Sequence, residues 1–181
     1  ALLHACGRER QTAQPVDDPT APEIRRLIND MIETMTDAKG AGLAAPQVHV
    51  PLRLVIFQAP GERADPQLGP PIGEDEKFDH TAPLTCLMNP QIEILNPKTE
   101  GGWEGCLSVP GLRGWVERPA HIRYRGVGPD GRKIERVARG FHARVAQHEL
   151  DHLDGRLYLS RMRDLSKLIF ESEFRHFAPT E

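Results

Sequence analysis

The chain has 181 residues, a length that suits one domain with a substantial hydrophobic core. A net charge of −3 gives no indication of general nucleic-acid binding, and no apolar run approaches the length needed to cross a membrane. The three cysteines are an odd number, so a disulfide framework is not expected and a reducing compartment is favoured.

The first forty residues predict a loose segment followed by one helix. Residues 1–19 are interpreted as a loosely held extension or a strand of uncertain course. Apolar residues then recur with the spacing of one helix face. They are Ile24, Leu27, Ile28, Met31 and Met35. Thr20 and Glu23 can form a capping box at the start of this helix, and Lys39 and Gly40 can end it.

The middle of the chain predicts short strands and loops. Residues 59–83 contain many prolines, glycines and acids without periodicity, and they are interpreted as a surface loop insertion. Three glycines and a proline predict a turn across residues 103–110. The runs with strand character are 52–57, 85–88, 91–95, 121–125 and 133–138. An Asn-Pro pair separates the second run from the third, and a Gly-Pro-Asp-Gly turn predicts that the last two form a hairpin.

Two helices are predicted in the last third of the chain. The first covers residues 141–157 and has apolar residues at helical spacing, which indicates that it is partly buried. These residues are Phe141, Val145, Leu150, Leu153 and Leu157. The second is predicted around residues 164–176, with Leu165, Leu168 and Ile169 on its apolar side.

The most informative stretch is residues 147–152, which read Gln-His-Glu-Leu-Asp-His. On a helix, residues four apart share a face, so His148 and His152 can present their imidazoles to one metal ion. Glu149 follows the first histidine and can act as a general base beside a metal-bound water. Two solvated histidines on a surface helix are the simpler alternative. A buried stretch with two histidines and two acids, however, needs a compensating charge, which a metal supplies.

A catalytic metal site is expected to have a third protein ligand, and the sequence offers several candidates. Tyr158 occupies the third-ligand position of one protease pattern, which excludes that pattern. Glu171 or Glu173 could complete a metallopeptidase site from a following helix. Cys106 is the upstream candidate, because a thiolate is a strong ligand for a borderline metal. A non-enzymatic metal-binding or interaction module is a further alternative, and it would not need Glu149.

Three segments in this order resemble the peptide deformylase family. Residues 40–47 match its G-x-G-x-A-A-x-Q loop, residues 104–108 its E-G-C-x-S turn, and residues 147–152 its Q-H-E-x-D-H helix. The resemblance covers residues 20–160. It implies an α+β fold in which antiparallel strands pack around a central metal-binding helix bearing H-E-x-x-H, with an N-terminal and a C-terminal helix. It also implies that residues 1–181 are a single catalytic domain.

The resemblance implies a metal centre and a set of catalytic groups. The implied metal ligands are Cys106, His148 and His152. One divalent ion is expected, with Fe(II) favoured by the resemblance and Zn(II), Ni(II) or Co(II) also compatible with these ligands. Glu149 would take a proton from the attacking water and give it to the departing amine. The Gln47 side chain and the backbone N–H of Leu107 would stabilise the negative charge on the carbonyl oxygen.

The resemblance also implies the substrate and the partners. The reaction would remove the N-formyl group from the initiator methionine of a nascent peptide and release formate. The residues expected to bind the substrate are Ala41, Gly42, Gly105, Arg113, Phe141 and Val145. A transient contact with the ribosome is expected from the family, whereas direct nucleic-acid or membrane binding is not. The expected location is the bacterial cytoplasm, or an organelle if a transit segment has been removed.

Three polar residues have more than one interpretation. Gln47 either points its amide at the reacting carbonyl or bonds its own loop as a turn residue. Arg113 either binds the backbone of a peptide substrate or is a solvated surface residue. Glu104 could be a buried carboxylate that pairs with an arginine such as Arg118.

Overall fold

The computed structural model describes residues 11–60 and 80–177, and these two ranges contain three α-helices and six β-strands. The helices are α1 (Pro22–Asp37), α2 (Gly140–Leu153) and α3 (Phe174–Phe177). The strands are β1 (Gly42–Ala44), β2 (Leu54–Ala59), β3 (Ala82–Cys106), β4 (Val109–Val127), β5 (Lys133–Arg139) and β6 (Leu168–Phe170). Short 3₁₀ turns cover Ala45–Val48, Tyr158–Arg161, Leu165–Lys167 and Glu171–Glu173.

The six strands form one antiparallel sheet in the order β1-β2-β3-β4-β5, and β6 pairs with β4. The predicted hairpin is confirmed, because β4 and β5 pair from His121–Arg139 to Val127–Lys133. The break predicted at residues 89–90 is wrong, since β3 continues through it. Asn89 adopts a positive φ of 50° and the register with β4 shifts there, so a local irregularity accommodates Pro90 within one long strand.

Strand β2 lies between two hydrophobic clusters, one on each face of the sheet. Val55 and Phe57 belong to the cluster that contains α2, whereas Leu54 and Ile56 belong to the cluster that contains α1. This division follows from the alternation of side chains along a strand. Helix α2 is buried over most of its length. The prediction of antiparallel strands packed around a central helix that bears H-E-x-x-H is therefore confirmed.

Helix α1 forms where its apolar spacing predicts, but the predicted capping box is wrong. The helix begins at Pro22 with Ala21 as its N-cap, and no side chain caps it. The Thr20 hydroxyl instead donates to Asp18 at 2.7 Å. Proline suits the first helical position, because the N–H that it lacks would have no helical partner there.

The C-terminal helix is present but much shorter than the predicted range 164–176. The backbone of Leu168–Phe170 instead pairs with Leu112–Gly114 of β4, and α3 begins only at Phe174. Leu165 and Phe170 are 70% and 66% exposed, so this apolar spacing does not mark a buried helix face. The last strand thus extends the sheet at the part of β4 that also pairs with the end of β3, where Cys106 lies.

The two loosely assigned segments lie only partly within the described residues. Residues 11–19 are more firmly held than predicted, since the Ala13 N–H donates to the Leu153 carbonyl at 2.8 Å and Gln14 bridges to Leu52. Residues 1–10 and 61–79, which include most of the predicted loop insertion, lie outside the described ranges. Within the described ranges, none of the helices has the length and hydropathy of a membrane span.

Candidate metal centre and active site

The three predicted metal ligands come together at one place. Donor atoms of Cys106, His148 and His152 all lie within 4.8 Å of one another. The Cys106 sulfur is 3.3 Å from Nε2 of His152, and the two histidine rings have their centroids 5.2 Å apart. This geometry suits ligands that share one ion, although Cys106 is separated from the histidines by about forty residues of chain.

Two structural elements position these ligands. His148 and His152 are one turn apart on α2, so they face the same side of the helix. Cys106 is the last residue of β3, and only Leu107 and Ser108 separate it from β4. The turn predicted across residues 103–110 is therefore confined to two residues, and the rest of that range is β-hairpin.

The chemistry of the donor set fits a divalent metal. One soft thiolate and two imidazoles form a combination that suits Zn(II), Fe(II), Ni(II) and Co(II). Nδ1–H of His148 donates to Glu104 at 2.8 Å, so Nε2 of that ring can face a metal, as is usual for metal-binding histidines. Nδ1 of His152 and Oε2 of Glu149 are buried without a hydrogen-bond partner among the described residues. The unpaired oxygen of Glu149 indicates a bound group or water beside the ligand set, whereas Nδ1 of His152 is on the ring side away from the nitrogen that faces Cys106.

Glu104 is the centre of a buried charge network behind His148. Its carboxylate accepts two hydrogen bonds from Arg118, at 2.6 and 2.9 Å, and one from Arg144 at 2.8 Å. Arg118 also donates to Asp151 at 2.8 Å. Burial alone would raise the pKa of Glu104, but the bonds from Arg118 and His148 hold it well below its usual range. The predicted Glu104–Arg118 pair is therefore confirmed, and it orients a candidate metal ligand.

Glu149 is a buried carboxylate with few neighbours to stabilise its charge. Burial raises the pKa of its side chain to about 7, which suits a general base near neutral pH. The side chain lies against Gly42 of β1. A Cβ added at Gly42 would come within 2.6 Å of Cδ and 2.7 Å of Cγ of Glu149. The glycine predicted to bind substrate therefore also makes room for the candidate base.

Gln47 lies beside the ligand set and its amide is held on both sides. Its Oε1 accepts the Ala44 N–H at 2.8 Å, which fixes the amide orientation. Its Nε2 donates to the Ser108 hydroxyl at 3.0 Å and lies 3.8 Å from the sulfur of Cys106. The oxygen thus bonds its own loop, as the turn interpretation expects, and the role of the nitrogen toward a reacting carbonyl stays a prediction.

A cavity of about 490 Å³ opens beside these groups. Most of the predicted site residues line it, and His152 is the one predicted site residue that does not. The predicted residues that line it are Ala41, Gly42, Gln47, Gly105, Cys106, Leu107, Arg113, Phe141, Val145, His148 and Glu149. The cavity thus joins the candidate base, the metal ligands and the predicted substrate contacts.

Two residues of this cavity have contacts that the sequence did not predict. Arg144 lines it and donates to the carbonyls of Val116 and Glu100 at 2.9 and 2.8 Å, in addition to Glu104. Its position four residues before His148 was the one available signal, because such residues share a helix face. Glu171 also lines the cavity, but it binds Arg113 and is not part of the Cys-His-His group. The structure therefore does not support Glu171 as the third ligand.

Comparison with known proteins identifies the family of this chain. The sequence profile of the polypeptide deformylase family matches residues 8–168. Peptide deformylase 1 of Bordetella pertussis is 55% identical over 157 residues, which cover 87% of this chain and 83% of that protein. Peptide deformylase 2 of Pseudomonas syringae pv. tomato is 53% identical over 148 residues, covering 82% and 76% respectively.

Solved structures give the same result for the fold. The crystal structure of peptide deformylase from Ehrlichia chaffeensis superposes with a TM-score of 0.78 at 31% identity, over 89% of this chain and 86% of that chain. The same enzyme in complex with actinonin superposes equally well. The family profile, the close relatives and the shared fold together show that this chain belongs to the polypeptide deformylase family.

Proposed function

We propose that this chain carries out the reaction of its family with one metal ion held by Cys106, His148 and His152 and with Glu149 as general base. The reaction is hydrolysis of the amide that joins a formyl group to the N-terminal methionine of a newly synthesised protein, with release of formate. The observation that carries the proposal is the convergence of the three donor atoms within 4.8 Å beside a buried carboxylate that has an unsatisfied oxygen.

The family is metal-dependent, and the donor atoms of this chain limit which metal ions can bind. A divalent ion bound by these residues would supply Lewis acidity and a hydroxide nucleophile near neutral pH. A Cys-His-His set accepts Fe(II), Zn(II), Ni(II) or Co(II). Iron is proposed as the physiological ion on the resemblance to the family, and its thiolate ligand would make the site sensitive to oxygen.

Glu149, Gln47 and Leu107 are proposed to perform the proton transfer and charge stabilisation. The carboxylate of Glu149 takes the proton from the attacking water and returns it to the departing amine of methionine. The Gln47 amide and the backbone N–H of Leu107 donate to the carbonyl oxygen as negative charge develops on it. Each such donor is worth about two to three orders of magnitude in rate. The fixed orientation of the Gln47 amide supports its role, because a donor that is already in place needs no reorganisation.

The shape of the cavity supports a substrate with a small acyl group and an apolar side chain. The formyl carbon is small enough to reach a site that Cys106 and Glu149 border closely. Ala41, Phe141 and Val145 supply apolar surface for the methionine side chain. The peptide beyond methionine would then leave along the wall that contains Arg113.

We further propose that the chain is a single catalytic domain that meets its substrates in the bacterial cytoplasm. The family profile covers most of the chain without interruption, and the two relatives described above are bacterial. A transient contact with the ribosome, as expected for the family, would bring the enzyme to formylated nascent chains.

Formate release tests the proposed function directly. Protein loaded with Fe(II) under anaerobic conditions is expected to release formate from formyl-Met-Ala-Ser and to leave acetyl-Met-Ala-Ser intact. The two peptides differ only in the acyl group, so this comparison isolates recognition of the formyl carbon. Equal cleavage of both peptides, or cleavage of internal peptide bonds without formate, would contradict the proposal.

A further inference from the structure

The C-terminal segment contributes a charged pair to the mouth of the cavity. Arg113 donates from Nε and from one terminal nitrogen to the same oxygen of Glu171, at 3.1 and 2.6 Å. Both residues line the cavity. Their side chains are 37% and 54% exposed, so a bound peptide can reach them. The site chemistry described above makes no use of Glu171.

Several contacts hold this pair in place. The pairing of β6 with Leu112–Gly114 places the turn at Glu171–Glu173 next to Arg113. The guanidinium of Arg113 lies 5.0 Å from the centre of the Phe174 ring, in a cation–π contact. Phe174 in turn packs edge-on against Trp103, with ring centroids 5.4 Å apart. Backbone pairing and aromatic packing therefore hold the pair in a defined position on the wall of the cavity.

This position is close to the proposed reaction centre. Arg113 is directly opposite Gly105 in the β3–β4 pairing, and Gly105 precedes Cys106. Along the exit path proposed above, a peptide whose first residue occupies the catalytic end would pass the pair within its next one or two residues, since an extended chain advances about 3.3 Å per residue. The charges at this point act on the substrate beyond methionine and leave the formyl group untouched.

We propose that Glu171 is a positioning residue that neutralises and orients Arg113, and that the neutral Arg113–Glu171 pair lets acidic and basic side chains be accepted equally at the second and third residues of the peptide. This inference rests on the proposed function. With both partners present, their charges cancel and acidic and basic peptides are treated alike at this point. Loss of Glu171 exposes a positive charge, and loss of Arg113 exposes a negative one. Lys39 also lines the cavity, but its charge is unaffected by either change.

The test uses peptide amides that differ in one charge. The substrates are formyl-Met-Glu-Ala-amide and formyl-Met-Lys-Ala-amide, together with formyl-Met-Ala-Glu-amide and formyl-Met-Ala-Lys-amide. The measured quantity is the ratio of kcat/KM for the acidic peptide to that for the basic one. Glu171→Gln is expected to raise this ratio about two- to fivefold and Arg113→Gln to lower it similarly, the size expected for partly exposed charges. The double variant is expected to return the ratio close to the wild-type value.

A matched control and the signs of the shifts make the outcome decisive. Glu117→Gln removes a surface carboxylate that pairs with Arg163 at 3.0 Å and does not line the cavity, so its ratio is expected to stay at the wild-type value. Structural damage changes kcat/KM for both peptides in the same direction and leaves their ratio constant. The proposal is overturned if neither single variant moves the ratio in either peptide pair, or if both move it in the same direction. Failure of the proposed function is distinguishable, because the wild-type protein would then release no formate from any of these peptides.

Discussion

Replacing Glu149 with glutamine is expected to reduce formate release by about two to four orders of magnitude, the usual contribution of a general base. The buried carboxylate has one oxygen without a partner among the described residues, so the neutral amide is not expected to lower the melting temperature. The metal ligands remain, so metal content is expected to stay at the wild-type level. Initial rates on formyl-Met-Ala-Ser, together with metal analysis of the same samples, test this expectation.

Gly42→Ala gives an independent test of the same carboxylate. The added Cβ would meet the side chain of Glu149, so the base must move although its chemistry is unchanged. We expect a lower kcat with metal content preserved. If Glu149→Gln retained more than a tenth of the wild-type rate, Glu149 would not be the base, and a different group would have to accept the proton.

Glu104→Gln is expected to have the largest effect on stability. The glutamine cannot accept charge-assisted bonds from Arg118, Arg144 and His148 together, and the side chain of Glu104 is only 4% exposed. Removing one partner of a buried ion pair costs about 3–5 kcal/mol. For a chain of this size, that lowers the melting temperature by about 6–20 °C. His148 also loses the group that orients its ring, so metal affinity is expected to fall about 10- to 100-fold.

Glu93→Gln is the matched control for Glu104→Gln. Glu93 also bridges two arginines, Arg123 and Arg125, at 3.0 and 2.9 Å, but its side chain is 48% exposed. An exposed pair contributes about 0–1 kcal/mol, so little change in the melting temperature is expected. Each variant removes one carboxylate that binds arginines, and the two carboxylates differ in burial. Thermal unfolding and metal titration of both variants therefore show whether burial of the carboxylate determines the effect. Equal shifts for the two variants would show that the Glu104 network has no special role.

Local patterns predicted the elements that contain the metal ligands. The spacing of His148 and His152 needs only the geometry of one helix, and the apolar residues around them predicted that this helix is buried. Local patterns were not enough to identify Cys106 as the third ligand. The sequence alone could not choose between Cys106 and Glu171, because each depends on contacts between distant parts of the chain. The resemblance favoured Cys106, and the structure brings it to the histidines while pairing Glu171 with Arg113.

The features that sequence reasoning missed depend on long-range backbone pairing. Leu165, Leu168 and Ile169 have helical spacing, yet the backbone of Leu168–Phe170 finds partners on β4 and extends the sheet. The break expected at Pro90 fails for a related reason, since the neighbouring strands hold β3 together across an irregular residue. Secondary-structure propensity describes a segment in isolation, whereas the conformation of these segments is determined by the strands with which they pair.

The metal content of two variants distinguishes a Cys-His-His site from a site completed by Glu171. Wild-type protein loaded anaerobically with Fe(II) and freed of excess metal is expected to retain about one ion per chain, as a three-ligand protein site predicts. Glu171→Gln is expected to retain the same amount, whereas Cys106→Ser is expected to lose most of it while staying folded. The opposite result, with metal retained in Cys106→Ser and lost in Glu171→Gln, would contradict the assigned ligands and favour a metallopeptidase-like site.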